Sequence, residues 1–193
     1  MIILIVQVFR ELKPVFSNFN DHYEIRMSAF SVILKTHPPA PFWQETAALT
    51  WFEPSQQVAS FVYSTLGNLA NATSPAYRNV SNSCRMALPL AKPQNLGIHY
   101  SHNLIIQNYV RERQIGTDLQ IAYFGSEESI VPRAAYVKFS VETGGIKNDY
   151  VELSVHAKGI QSAFNNFFLK YFHQGESSFE SFWDKMKDSP IRK

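Results

Sequence analysis

Few side chains in this sequence are placed to do chemistry. The closest histidine pair is His99-Tyr-Ser-His102. On a helix an i, i+3 pair shares one side and could bind a metal, whereas on a strand the two rings point to opposite faces. No carboxylate stands near them in sequence, so no metal and no cofactor are assigned. Cys84 is the single cysteine, which excludes an internal disulfide and a thiolate zinc cluster. Its surroundings, SNSCRMAL, hold Arg85 but no general base, so no catalytic nucleophile is assigned. Glu127-Glu128 lies in a turn-forming GSEES stretch, the ordinary setting of solvated acids. The chain contains no G-x-S-x-G, no P-loop and no G-x-G-x-x-G.

Two aromatic constellations are better candidates for binding. Tyr136, Lys138, Tyr150 and His156 fall on the polar positions of two alternating strands. Rings beside a cation can stack nucleobases, so this set is a candidate RNA or single-stranded nucleic-acid surface. The stretch Ala135-Tyr136-Val137-Lys138-Phe139 departs from the aromatic strand motif of RNA-recognition domains at Arg133 and Ala134, where that motif has glycine and a ring. The second constellation is Phe179, Phe182, Trp183 and Met186, spaced i, i+3, i+4 and i+7. Ser177 and Glu180 form a capping box ahead of it, and Pro190 stops it. A helix this short is marginal alone, so its stripe needs a surface, and a protein partner or a second copy is expected there.

The elements that position these residues follow from periodicity. Val137, Phe139 and Val141 alternate with polar residues, as do Val151, Leu153, Val155 and Ala157. Each set predicts a strand with one apolar face. Parity requires an odd loop, and pairing Val141 with Val151 leaves about five loop residues. That register places Phe139 and Leu153 in the core. Ser162 and Gly175 bracket an aromatic helix carrying Phe164, Phe167, Phe168 and Tyr171. Helices are predicted at 54–66, 162–174 and 178–188.

Upstream, MIILIVQVF reads as a buried strand over 2–9. Residues 23–35 read as a longer strand with a bulge near Ala29 and Phe30, where the apolar alternation changes phase. HPPAPF (37–42) is an extended spacer, and 43–52 fits strand or helix. Residues 71–84 form a polar loop, and 85–91 a short edge strand broken by Pro89. The frequency of Ile, Tyr and Val favours a strand over 97–110 rather than a helix over 102–115. Leu119, Ile121 and Tyr123 mark another.

Composition bounds the rest. The chain has 193 residues, 14% aromatic, 18% charged, and a formal net charge of +2. It is long enough to bury a core, and its charge is too even to argue for nucleic acid. The apolar run at the N-terminus is too short to span a membrane, which takes about 20 residues, and lacks the flanks of a signal peptide. A cytoplasmic location is therefore expected. The expected fold is α+β: an antiparallel sheet of about five to seven strands with an aromatic-rich helix packed on it, a single body over 1–176, and an amphipathic helix and tail over 177–193. The expected function is a non-enzymatic assembly subunit or structural, interacting protein that works through aromatic-rich surfaces. The alternatives are the nucleic-acid module above and an enzyme whose site is dispersed in sequence.

Overall fold

The structure is a computed structural model that describes residues 2–94, 97, 99–126 and 132–156, with side chains from Val6 onward. It divides into two compact units, one ending at Asn95 and the other beginning at Leu96, where the sequence suggests one body over 1–176.

The first unit is helical. Its elements are α1 (Ile2–Ser17), α2 (Tyr23–Leu34), α3 (Ala40–Leu49), α4 (Gln56–Ala70) and α5 (Arg78–Ala87), with single 3-10 turns at Pro75–Tyr77 and Leu88–Leu90. The strands expected over 2–9 and 23–35 are thus helices. The phase change at Ala29 and Phe30 is not a bulge. It is the helical period, which buries Arg26, Met27, Ala29, Phe30 and Ile33 together. Residues 71–84 fold into a 3-10 turn and most of α5 rather than a loop, and 85–91 continue as helix and turn rather than an edge strand. HPPAPF is a linker only in its first part. His37 takes a left-handed φ of 51°, and Pro41 enters the first turn of α3, where its missing N–H costs nothing. Ser55 caps α4 by accepting from the Val58 amide. The helix then runs through Gly67 to Ala70, beyond the expected end at 66.

Aromatic rings knit these helices. Phe16 stacks on Phe30 at 4.9 Å between centroids, Phe9 meets Phe42 edge-on at 5.4 Å, and Phe30 meets Phe61 edge-on at 6.2 Å. Beside them lies a buried ion pair. Arg26 donates to Glu53 at 2.7 Å and to the Phe16 carbonyl at 3.0 Å, and its guanidinium lies over the Phe19 ring. Glu53 also accepts from the Ser55 amide at 3.0 Å, so both charges are satisfied where they are desolvated.

The second unit is an antiparallel sheet of four described strands in the order β1 (His102–Val110), β2 (Ile115–Phe124), β3 (Ala134–Thr143) and β4 (Ile146–His156). That is fewer than the five to seven expected. The strand readings for 119–123 and the 137–155 hairpin hold, that for 97–110 holds from His102 to Val110, and β2 is longer than its apolar core. The hairpin register differs from expectation. Val141 faces Asn148, and Val151 faces Phe139, with a shift between Phe139 and Ser140. The loop is the two-residue turn Gly144-Gly145, whose φ values of 61° and 82° are those of a primed hairpin turn. A bulge at Tyr150 restores parity, so the apolar residues still share a face although the loop is short. The helix expected over 162–174 lies outside the described residues.

Candidate functional site

Register assigns every side chain of the sheet to one of two faces. On one face, two consecutive rows across all four strands are wholly apolar: Ile106, Leu119, Phe139, Val151, and then Leu104, Ile121, Val137, Leu153. Strand spacing makes each row about 14 Å wide, with about 7 Å between rows. Beyond them towards the turns lies a mixed row of Asn108, Thr117, Val141 and Asn148, then Val110, Ile115, Thr143 and Ile146.

At the other end the face closes. His102 and Tyr123 are both buried there, with ring centroids 6.4 Å apart, and His102 Nε2 lies 3.0 Å from the Gly97 carbonyl oxygen. Burial pushes the Tyr123 hydroxyl up to about 12. His99 stands before β1, outside the sheet, so the two histidines are not presented together. Among the described residues no three His, Cys, Asp or Glu side chains converge on a metal position.

The opposite face is mostly polar, and its central side chains are paired with one another. Asp118 sits between Lys147, at 3.0 Å, and Gln107, which donates to it at 2.9 Å. Gln120 donates to Asn103 at 2.9 Å, and Ser140 donates to Asp149 at 2.7 Å. Lys138 lies 3.6 Å from Asp149. Burial alone would raise the Asp149 carboxyl, but the Ser140 hydrogen bond and the charges of Lys138 and Lys147 outweigh it and hold it below its ordinary value. The Tyr109 ring covers Gly116, where a Cβ would stand 2.7 Å from Cδ2.

On the central strands the most deeply buried side chains belong to the polar face, and the most exposed apolar ones lie at the turns and on β4. Asp118, Lys138, Ser140 and Glu142 are buried, while Val110, Ile115, Phe139, Ile146, Val151, Leu153 and Val155 are exposed. Phe139 and Leu153, expected in the core, keep 37% and 57% of their surface in water. Alternation in sequence says which residues share a face. It does not say whether the chain itself covers that face.

This geometry lends the nucleic-acid reading no support. Tyr136, Lys138 and His156 do lie on the polar face, but Lys138 is only 7% exposed and points into the Asp149 pair. Tyr150 is displaced from that face at the register shift. The cation needed to meet a phosphate is committed inside the sheet. Phe179, Phe182, Trp183 and Met186 lie outside the described residues. Cys84 is buried in the helical unit, and burial pushes its thiol up to about 12. Sequence reasoning misses the apolar face as a site because its signal, clean alternation, is also that of an ordinary half-buried strand.

Comparison with known proteins accounts for both units. The vitellogenin TPR domain matches residues 7–67, and the vitellinogen open beta-sheet matches residues 99–192. Vitellogenin of Oncorhynchus mykiss is 30% identical over 144 residues, 74% of this chain and 9% of its own length. Vitellogenin-2 of Gallus gallus is 30% identical over 139 residues, 71% of this chain and 8% of its own. The hemolymph clottable protein of Penaeus monodon is 26% identical over 136 residues, 70% of this chain and 8% of its own. A solved structure concerned with lipid–protein interactions in lipovitellin matches with a TM-score of 0.78 and 26% identity, over 83% of this chain and 17% of that one. The chain thus spans less than a tenth of the length of these curated relatives.

The relatives correct the expected cytoplasmic location, since vitellogenins are secreted extracellular or yolk proteins. Among the described residues no helix is long and apolar enough to cross a membrane. In sequence and in its mixed helical and antiparallel-sheet fold, the chain is a structural α+β segment of the vitellogenin family, lipovitellin-like in architecture.

Proposed function

We propose that this chain is a non-enzymatic, lipid-holding segment of a larger lipid-transport and storage protein, and that the apolar face of its sheet lies against acyl chains. One observation carries the reading: among the described residues the apolar face is exposed at Phe139, Val151, Leu153 and Val155 and half-buried at the rest of its two central rows, while Asp118, Lys138, Ser140 and Glu142 on the other face are buried. An exposed apolar patch of this breadth marks a binding surface.

Its composition favours lipid over a protein partner. Protein interfaces concentrate their energy in Trp, Tyr and Arg, and these two central rows hold aliphatic residues and a single Phe. They offer no hydrogen-bonding group, as fits a ligand whose contacting part has none. The polar residues of this face stand outside the two rows, at Asn108, Thr117, Thr143 and Asn148 towards the turns and at His102 and Tyr123 at the closed end. Head groups would reside at those margins. The likeness to lipovitellin, whose solved structure concerns lipid–protein interactions, supports the same reading.

The test is uptake of a long-chain fluorescent fatty acid by the purified chain, compared with a Val151→Lys/Leu153→Lys variant. Both side chains are largely in water already, so the variant should fold. It should lose at least tenfold in affinity, since burying each apolar side chain is worth roughly 1.5–3 kcal/mol. Unchanged uptake by a folded variant would remove the sheet face from the function.

A further inference from the structure

Two stretches of the helical unit match the acceptor sequence for asparagine-linked glycosylation, Asn71-Ala72-Thr73 and Asn79-Val80-Ser81. Such a match means little in a chain that stays in the cytoplasm. The relatives are secreted, and in a chain that shares their route both motifs meet the enzyme that adds the glycan. The fold treats the two motifs differently.

Asn71 is the C-cap of α4, and Ala72 and Thr73 lie beyond the helix. Both Asn71 and Thr73 are exposed. One helical turn back is Gly67, whose carbonyl accepts from Asn71 Nδ2 at 2.9 Å. A Cβ added at Gly67 would meet nothing within 4 Å, so the surface beside Nδ2 is open. A glycosylated asparagine keeps one N–H on that nitrogen, so the bond to Gly67 survives the modification. Asn79, by contrast, stands in the first turn of α5, with Ser81 two positions on. Residues two apart on a helix do not face each other. Ser81 is buried, and its hydroxyl donates to the Ala70 carbonyl at 3.2 Å and accepts from Arg85 at 3.3 Å. The hydroxyl that the enzyme must engage is there built into the contact between α4 and α5.

We propose that Asn71 carries an N-linked glycan and that Asn79 does not. In the transfer, Asn71 Nδ2 attacks the anomeric carbon of an oligosaccharide carried on a polyprenyl diphosphate. The nitrogen–carbon bond forms, the carbon–oxygen bond to the diphosphate breaks, the amide gives up one proton, and the polyprenyl diphosphate leaves. A glycan is bulky and solvated, so the end of α4 faces solvent in the larger protein and is not packed against another segment of it. The inference rests on secretion and not on the lipid-holding role of the sheet.

The experiment is translation of the full chain behind a cleavable secretory leader in the presence of microsomes. Protection from added protease identifies the chains that have entered the lumen. Those chains should lose the mass of a single glycan on treatment with a peptide N-glycosidase, which leaves aspartate at position 71. Asn71→Gln and Thr73→Ala should each abolish the mass shift, Thr73→Ser should retain it, and Asn79→Gln should leave it unchanged. The shift is read on all protected chains, so a variant that folds poorly is still scored. Protected wild-type chains without a glycan would overturn the proposal. So would a shift that survives Asn71→Gln, or one that disappears in Asn79→Gln.

Discussion

Replacing Phe139 by alanine separates an open sheet face from a closed core. Phe139 sits in the central apolar row between Leu119 and Val151. Were it enclosed, its removal would cost roughly 3–5 kcal/mol, because a cavity would add to the lost transfer energy. About a third of its surface is already in water, and an open face leaves no enclosed cavity. Only the transfer term for the covered part remains, about 1–2 kcal/mol. Phe61 is the internal reference. It is fully buried and meets Phe30 edge-on at 6.2 Å, so Phe61→Ala should cost the full roughly 3–5 kcal/mol. Since two compact units need not melt together, amide hydrogen exchange is the assay, reading strand and helix amides separately. A loss above about 3 kcal/mol for lipid-free Phe139→Ala would show that the face is a closed core, and the lipid-holding reading would fail with it.

Other outcomes follow from the same structure. Glu53→Gln leaves the Arg26 charge buried beside Phe16 and Phe19 without its counter-charge, so a thermal melt of the helical unit should show a loss of roughly 3–5 kcal/mol. The Asp149 carboxyl titrates below its ordinary 3.8 in the fold. A depressed folded value contributes stability that is present above the unfolded value and is lost as pH falls through the folded one. Asp149→Asn should therefore flatten the stability–pH curve of the sheet below about pH 4 and leave its shape at neutral pH unchanged. With its thiol pushed up to about 12, Cys84 should resist a thiol-specific reagent at pH 8 in the native chain and react only on unfolding; rapid reaction in the native state would contradict its burial.

Most of the sheet is legible in the amino-acid sequence. Alternating Val, Ile, Leu and Phe over 137–155 and 104–121 marks strands, because successive side chains on a strand must point to opposite faces. The same parity correctly groups Val137, Phe139, Val151 and Leu153. The strand partners escape it, since a bulge at Tyr150 lets a two-residue Gly144-Gly145 turn satisfy the parity that otherwise demands an odd loop. In the helical half the local signals mislead. Ile and Val near the N-terminus favour strand by propensity, and Tyr23, Ile25, Met27 and Ala29 mimic alternation over a short window. Helix packing around Phe16, Phe30 and Phe42 overrides both.

What the chain determines by itself is therefore the grouping of residues into faces, a helix beginning near residue 54, and the absence of recognised catalytic motifs. Tertiary structure alone decides which face of the sheet is covered. That outcome depends on whether anything lies over the apolar rows, and on whether Lys147 and Gln107 can satisfy Asp118, and Lys138 and Ser140 can satisfy Asp149, on the other side. The second is a matter of contacts across β2, β3 and β4 that no single strand's pattern contains. A local pattern carries the period of a strand, but burial is a property of the whole assembly of strands, and on the central strands here it is deepest on the polar face.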